Sequence, residues 1–174
     1  MNLFKKLFRK SNDDYVQPEK KTIDIDELLT AENQNNSIIA LDDYICGLCI
    51  YGDDLSHLSE VQLNFYYIQE LEREVNNGGF NQYFFNSAGD YAHETIIALN
   101  AIAAKRTATI LQQAIDEFPD QSVAKYRSAR QHILEQIEEQ SDPVWEELNQ
   151  QFFNYEDNLN SLNIQYIKAN RNRF

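Results

Sequence analysis

The sequence predicts an all-α fold, an irregular bundle of about seven to nine helices in a single domain, and three observations carry that prediction. Five glycines and three prolines in 174 residues are too few for the turns of an all-β fold. Apolar residues recur at helical spacing, most clearly at Val61, Phe65, Ile68, Leu71 and Val75. Cap and stop signals separate one such stripe from the next. With 43% hydrophobic residues, ten Phe and ten Tyr, the chain can fill a core. A folded chain of this length hides roughly 70% of its unfolded surface, which excludes disorder for the bulk of it.

The elements follow in order. Residues 1–22 form a basic tail and linker, and residues 23–174 an acidic all-α domain. In the tail, Leu3, Phe4, Leu7 and Phe8 share one side if helical, ringed by Lys5, Lys6, Arg9 and Lys10. That pattern is compatible with weak contact of residues 3–10 with a membrane surface or a partner, although a ten-residue helix is marginal alone. Ile23 to Thr30 is a short helix. Ser37 is expected to cap a helix through Ile38, Leu41, Ile45, Leu48 and Cys49, stopped near Gly52. Ser56 or Ser59 opens the next, which Gly78-Gly79 ends. Phe80 to Ser87 reads as a compact stretch, with Ser87 and Asp90 spaced like a capping box. Ile96, Ile97, Leu99 and Ile102 mark a further helix, and another runs from Thr107 to Phe118, halted by Pro119. Ser122 opens a helix with Tyr126, Ala129, Ile133 and Ile137. Asp142-Pro143 reads as a fresh start, followed by Trp145, Leu148 and Phe152. Leu159, Leu162, Tyr166 and Ile167 mark the last.

Charge separates the two parts. The whole chain holds 28 acidic and 15 basic residues, net −13. Residues 1–22 hold six basic and three acidic residues, net +3, while residues 23–167 hold six basic and 25 acidic, net −19. Such a body repels nucleic acid and anionic membrane and attracts basic partners. No stretch approaches the ~20 apolar residues of a membrane span. The opening MNLFKKLFRK lacks the apolar run of a secretory signal, so the cytoplasm is the expected compartment.

Few residues suggest chemistry. Cys46 and Cys49, the only cysteines, form C-G-L-C inside an apolar helical run. A redox pair needs a helix N-terminus to lower its thiol pKa, so inert buried thiols are expected instead. His57, His93 and His132 provide no zinc pattern with them. No phosphate-loop, dinucleotide or nucleophile-elbow motif occurs. Neither a cofactor, a metal nor catalysis is expected.

The most distinctive segment is E-V-N-N-G-G-F-N-Q-Y-F-F-N-S-A-G, Glu74 to Gly89. Its paired glycines, Gly78 and Gly79, permit a sharp reversal. Asn76, Asn77, Gln82 and Asn86 offer hydrogen bonds, and Phe80, Tyr83, Phe84 and Phe85 offer apolar anchors. One reading is a helix–helix corner whose amides satisfy freed backbone groups. The other is a contact lip, or a small-molecule-binding or enzymatic pocket at residues 76–86. The block V-N-N-G-G-F-N-Q-Y-F-F-N-S-A-G-D resembles a bacterial domain family named for a DNA-mimic protein. So do A-H-E-T-I-I-A-L-N-A-I-A-A, I-D-E-F-P and W-E-E-L-N-Q-Q-F-F-N-Y-E-D-N-L, and the resemblance covers roughly residues 37–170. It implies an acidic all-α fold, often dimeric. It also implies that surface carboxylates imitate DNA phosphates on a transcription factor's DNA-binding face.

Mimicry needs carboxylates in rows, and residues four apart on a helix have Cβ atoms about 5–6 Å apart. The candidates are Glu70 and Glu74; Glu135, Glu138 and Glu139; Asp142 and Glu146; and the doublets Asp42-Asp43, Asp53-Asp54, Asp116-Glu117 and Glu156-Asp157. The function expected is non-enzymatic binding of a basic protein: a DNA-binding regulator or, alternatively, a basic toxin or nuclease held by an immunity-like inhibitor.

Overall fold

The computed structural model describes residues 23–174; the tail at 1–22, with its expected surface contact, lies outside them. Seven α-helices run among the described residues, and no strand: α1 Ile25–Thr30, α2 Gln34–Leu48, α3 Glu60–Phe85, α4 Ala92–Ala101, α5 Lys105–Ile115, α6 Arg127–Phe153 and α7 Leu159–Ala169. None is long and apolar enough to cross a membrane.

Short polar side chains start four of them. Asp24 Oδ1 accepts from Glu27 N–H at 3.0 Å, and Asn158 Oδ1 from Ser161 N–H at 2.9 Å. Ser59, the second of the two expected starts, forms a reciprocal capping box with Gln62. Asn33, not Ser37, caps α2, accepting from Asn36 N–H at 3.1 Å. Ser37 lies one turn inside, buried, with its hydroxyl donated back to Asn33 O.

α3 and α6 are the two long elements, and they pack on each other. α3 divides its length between two apolar clusters. Phe65 and Tyr66, near its start, join Leu41, Ile45, Cys46, Ile164 and Ile167 of α2 and α7. Ile68 through Phe84 join α4, α5 and α6 around Leu99, Leu111, Phe118, Trp145 and Phe152. Trp145 also donates its indole N–H to Ala114 O at 3.0 Å, tying α6 to α5.

Three expected boundaries move. Asp142-Pro143 starts no helix, because α6 runs through Pro143. Arg130, Leu134, Ser141, Trp145, Leu148 and Phe152 are buried along one continuous stripe, and packing on both sides outweighs the roughly 3 kcal/mol of an internal proline. Ser122 opens no helix either. Residues 122–126 remain non-helical, and α6 begins at Arg127. Ser87 and Asp90 make no capping box; Ser87–Tyr91 is a 3-10 turn without a side-chain cap, and Asp90 faces Arg130. The paired glycines break the regular dihedrals of α3 as expected, but Phe80–Phe85 then continues as helix in a new direction.

Candidate functional site

The Glu74–Gly89 segment forms the corner of the fold. Gly79 adopts φ 71°, ψ −171°, a region open essentially to glycine alone. A side chain there would collide with Asn149 of α6. Asn149 Oδ1 instead accepts the Phe80 N–H at 2.9 Å, one of the donors freed by the break. Phe80, Tyr83 and Phe84 are fully buried, and Tyr83 donates its hydroxyl to Thr95 at 3.1 Å. Burial holds the Tyr83 phenol above its ordinary pKa.

Gln82 and Asn86 are held by a side chain, whereas Asn76 also lines an open groove of about 330 Å³ with Ile38, Asp42, Glu72 and Arg73. Gln82 and Asn86 both donate to Glu74 Oε2, at 2.6 and 2.8 Å. Glu74, expected in a surface row, therefore bridges the two halves of the bent helix from within. Asn76 donates to the Tyr155 hydroxyl at 2.6 Å. Asn77 and Gly78 are exposed at the turn.

Arg130 completes the corner, and sequence reasoning missed it. It is 0% exposed. Its Nε donates to Phe84 O at 2.5 Å, Nη1 to Ala124 O at 2.7 Å and Nη2 to Asn86 O at 2.7 Å. Nη2 also lies 2.6 Å from Asp90 Oδ1 as an ion pair, off the hydrogen-bond line that Asn86 O occupies. A Cβ on Gly89 would stand 2.8 Å from Arg130 Nε, so the guanidinium needs a glycine there. The available signal was phase: Arg130 precedes Leu134, Ser141, Trp145 and Leu148 on the same helical stripe.

The carboxylates divide. Asp42 pairs with Arg73 at 2.6 Å, and Glu70 pairs with the same guanidinium. Asp54 faces His57 at 3.4 Å and accepts from Ser56 N–H at 2.9 Å; the Ser56 hydroxyl first and its N–H second hold the carboxyl below the ordinary range. Asp43 and Asp53 are exposed. Asp157, behind α6, accepts from Thr107 N–H at 2.8 Å and so caps α5 from a distance; Glu156 stands 3.6 Å from Arg106. The basic C-terminus pairs elsewhere, Arg171 with Asp26 and Arg173 with Glu60.

α6 differs. Glu135, Glu138, Glu139, Asp142 and Glu146 are all exposed. At 3.6 residues per turn they fall within about 100° of one another around the helix, along about 16 Å of its axis. Residues 131–157 contain no Lys or Arg, and among the described residues the basic group that pairs with the row is His132, 3.7 Å from Glu135. Asp142 accepts from Asn81 at 3.3 Å and Glu146 from Gln150 at 3.1 Å; both donors are neutral, so the charge remains. On the other flank of α6, Glu147 shares with Asp116 and Glu117 a groove of about 320 Å³ between α5 and α6, floored by Val144 and Leu148. The structure thus brings Glu135, Glu138, Glu139, Asp142 and Glu146 together on one flank of α6 and places Asp116 and Glu117 beside Glu147 on the other. The doublets of α2 and the following loop are not on these helices.

The family of DMP19-like proteins matches residues 56–170. The chain belongs to that family. The match takes in the corner, α6 and the α5–α6 groove, and it leaves out α1 and α2. No curated protein and no solved structure shows a match.

Cys46 donates its thiol to Asp42 Oδ1 at 3.7 Å. Both cysteines are free and buried; Cys49 donates to Cys46 O at 3.5 Å. Burial raises the Cys46 thiol to about 11 and also raises that of Cys49. A thiol held that high has little thiolate for redox exchange. His93, at the start of α4, accepts the Val123 N–H at 3.2 Å and so ties the segment before α6 to α4 without capping a helix. Among the described residues no group of three or more His, Cys, Asp or Glu is placed to hold a metal ion.

Proposed function

We propose that this member of the DMP19-like family is a non-enzymatic binding module that presents the carboxylates of α6 to a basic protein, imitating the phosphates of DNA on the DNA-binding face of a regulator. The row on α6 is the observation that carries this reading. Five carboxylates over about 16 Å give a charge roughly every 4 Å, against one phosphate per about 3.4 Å along each DNA strand. Like charges this close repel, at a cost of a few tenths of a kcal/mol per pair. A cationic surface would complete them and relieve that repulsion. Glu147, Asp116 and Glu117, on the opposite flank, supply the start of a second row.

The same face would also suit a basic toxin or nuclease, and a duplex competitor separates the two. The test titrates a fluorescently labelled helix-turn-helix regulator with the full chain, with and without its operator duplex. The reading expects chain and duplex to exclude each other, and affinity to fall at least about tenfold between low and moderate salt. Affinity indifferent to salt, or simultaneous binding of chain and duplex, refutes phosphate imitation.

A further inference from the structure

We infer that the groove between α2, α3 and α7 binds a small aliphatic polyamine, whose ammonium groups meet the Glu72 carboxylate and a set of amide oxygens. The groove holds about 330 Å³, within the roughly 300–1,000 Å³ of small-molecule sites. Its lining sets Asp42 and Glu72 against a single cation, Arg73. That guanidinium is already engaged, since it pairs with Asp42 and with Glu70. Glu72 is half-buried and is bonded by the neutral Gln69 and Tyr155. Among the described residues no Lys or Arg pairs with it, so its charge faces the groove unmatched.

The amides around Glu72 are oriented for a donor. Gln69 donates to Glu72 at 3.3 Å, Asn76 to the Tyr155 hydroxyl at 2.6 Å and Asn160 to Asn35 Oδ1 at 2.8 Å. Each of these amide nitrogens thus faces a protein acceptor. Among the described residues no donor reaches the amide oxygen of Gln69, Asn76 or Asn160, and all three residues line the groove. An ammonium brings donors and no acceptor, whereas a carboxylate ligand brings acceptors only. Ile38 and Ile39 share the lining, with Ile39 67% exposed. They offer apolar contact to the methylenes between two ammonium groups.

A stranded amide marks the inner end of the groove. Asn163 is 0% exposed, and neither its Nδ2 nor its Oδ1 has a hydrogen-bond partner, a costly state for a buried polar group. On α7 it lies one turn from Asn160, which lines the groove. It lies one turn from Tyr166 as well, whose hydroxyl accepts from Asn64 of α3 at 2.8 Å. Residues three apart share a helix face, so Asn163 is turned to α3 between those two points, level with the stretch that holds Gln69. Side chains lean toward the N-terminus of their helix, which carries the Asn163 amide toward Asn160 and the groove. A ligand N–H there gives Asn163 Oδ1 the partner it lacks. No residue of α6 lines this groove, so the site is independent of the proposed function.

The experiment titrates spermidine into 15N-labelled full chain at pH 7 and moderate salt, with side-chain amide resonances as the readout. The expected result is one saturable site that shifts the amides of Gln69, Asn160 and Asn163. Glu72→Gln, which removes an unmatched charge and so keeps the fold, should weaken binding at least about tenfold. Asn163→Leu, which exchanges an unpartnered amide for an apolar group, should weaken it at least about threefold. A variant with Glu135, Glu138, Glu139 and Glu146 changed to Gln and Asp142 to Asn should bind within about twofold of wild type. Unspecific attraction of a cation to an acidic chain gives another pattern. Magnesium chloride would then shift the same amides at equal concentration, or affinity would fall with the α6 variant and not with Glu72→Gln. Either result overturns the site, as does an unshifted set of groove amides. Nα-acetyl-lysine methylamide, with one ammonium on a peptide unit, should bind at least about tenfold more weakly than spermidine. Equal affinity would assign the groove to a lysine of another protein and overturn the polyamine.

Discussion

The two sides of the molecule treat the same residue types differently. Around α1, α2 and the start of α3, four acids are matched to cations: Asp26 to Arg171, Glu60 to Arg173, Asp42 and Glu70 to Arg73. Along α6, five exposed carboxylates follow one another with no Lys or Arg from 131 to 157. Acidic composition therefore has two meanings within one chain. On the first side it fastens termini and helices to one another. On the second it is left over, and the charge is available to something outside the fold. Between the two, Glu74 serves neither purpose, since it is consumed by Gln82 and Asn86 at the corner.

This contrast can be broken from its structural end. Arg130 is the one fully buried cation among the described residues, and it satisfies carbonyls of Phe84, Asn86 and Ala124. Arg130→Ala should cost about 3–5 kcal/mol, because it strands Asp90 and those acceptors. Urea denaturation measures it. A loss under about 1 kcal/mol would mean that water replaces the guanidinium and that the corner does not depend on it. Next in size is Gly79→Ala, expected to cost about 1–3 kcal/mol from backbone strain alone, with more from displacement of Asn149. Circular dichroism melts against Gly47→Ala, which meets nothing within 4 Å, provide the control.

The charge side sharpens the contrast with smaller numbers of opposite sign. Replacing Glu135, Glu138, Glu139 and Glu146 with Gln and Asp142 with Asn should leave stability unchanged or raise it by a few tenths of a kcal/mol per relieved pair. Asp42→Asn with Glu70→Gln should lower stability, by about 1 kcal/mol or less for exposed pairs on Arg73. Paired melts of the two variants show whether the signs differ.

The smallest effect is a pH dependence. Burial raises the Glu72 pKa, although Gln69 and Tyr155 bond its carboxylate. A carboxyl raised in the folded state favours the fold fully below its unfolded pKa, and that contribution is lost as pH rises through the folded value. Glu72→Gln should therefore melt higher than wild type at pH 7 and no higher near pH 4. A gain that persists at low pH would assign the effect to packing rather than ionisation.

How much of this was legible in the sequence follows from the range of each interaction. Periodicity located the stripes of α2, of the first part of α3, and of α4, α5 and α7, because a buried stripe is a local property. Ser59 and the glycine break were readable for the same reason. The single α6 was not. Asp142-Pro143 is a good local start signal, and only contacts from Trp145 to Ala114 and from Arg130 to Phe84, 31 and 46 residues away, show why the helix continues. The acid candidates were readable as residues but not as a set. Whether a carboxylate is matched depends on an arginine such as Arg73, 31 positions from Asp42, or on α5 and α6 lying side by side. The corner's chemistry was half legible: the glycines announced a reversal, but Asn149, Tyr155 and Arg130, which complete it, come from distant sequence.

The most direct measurement compares regulator binding at low salt for three full chains: wild type, the five-carboxylate variant of α6, and Asp42→Asn with Glu70→Gln. The account predicts that the α6 variant loses at least about tenfold in affinity while the Asp42 and Glu70 variant stays within about twofold. Binding that survives neutralisation of α6, or that is lost with Asp42 and Glu70 instead, would contradict it.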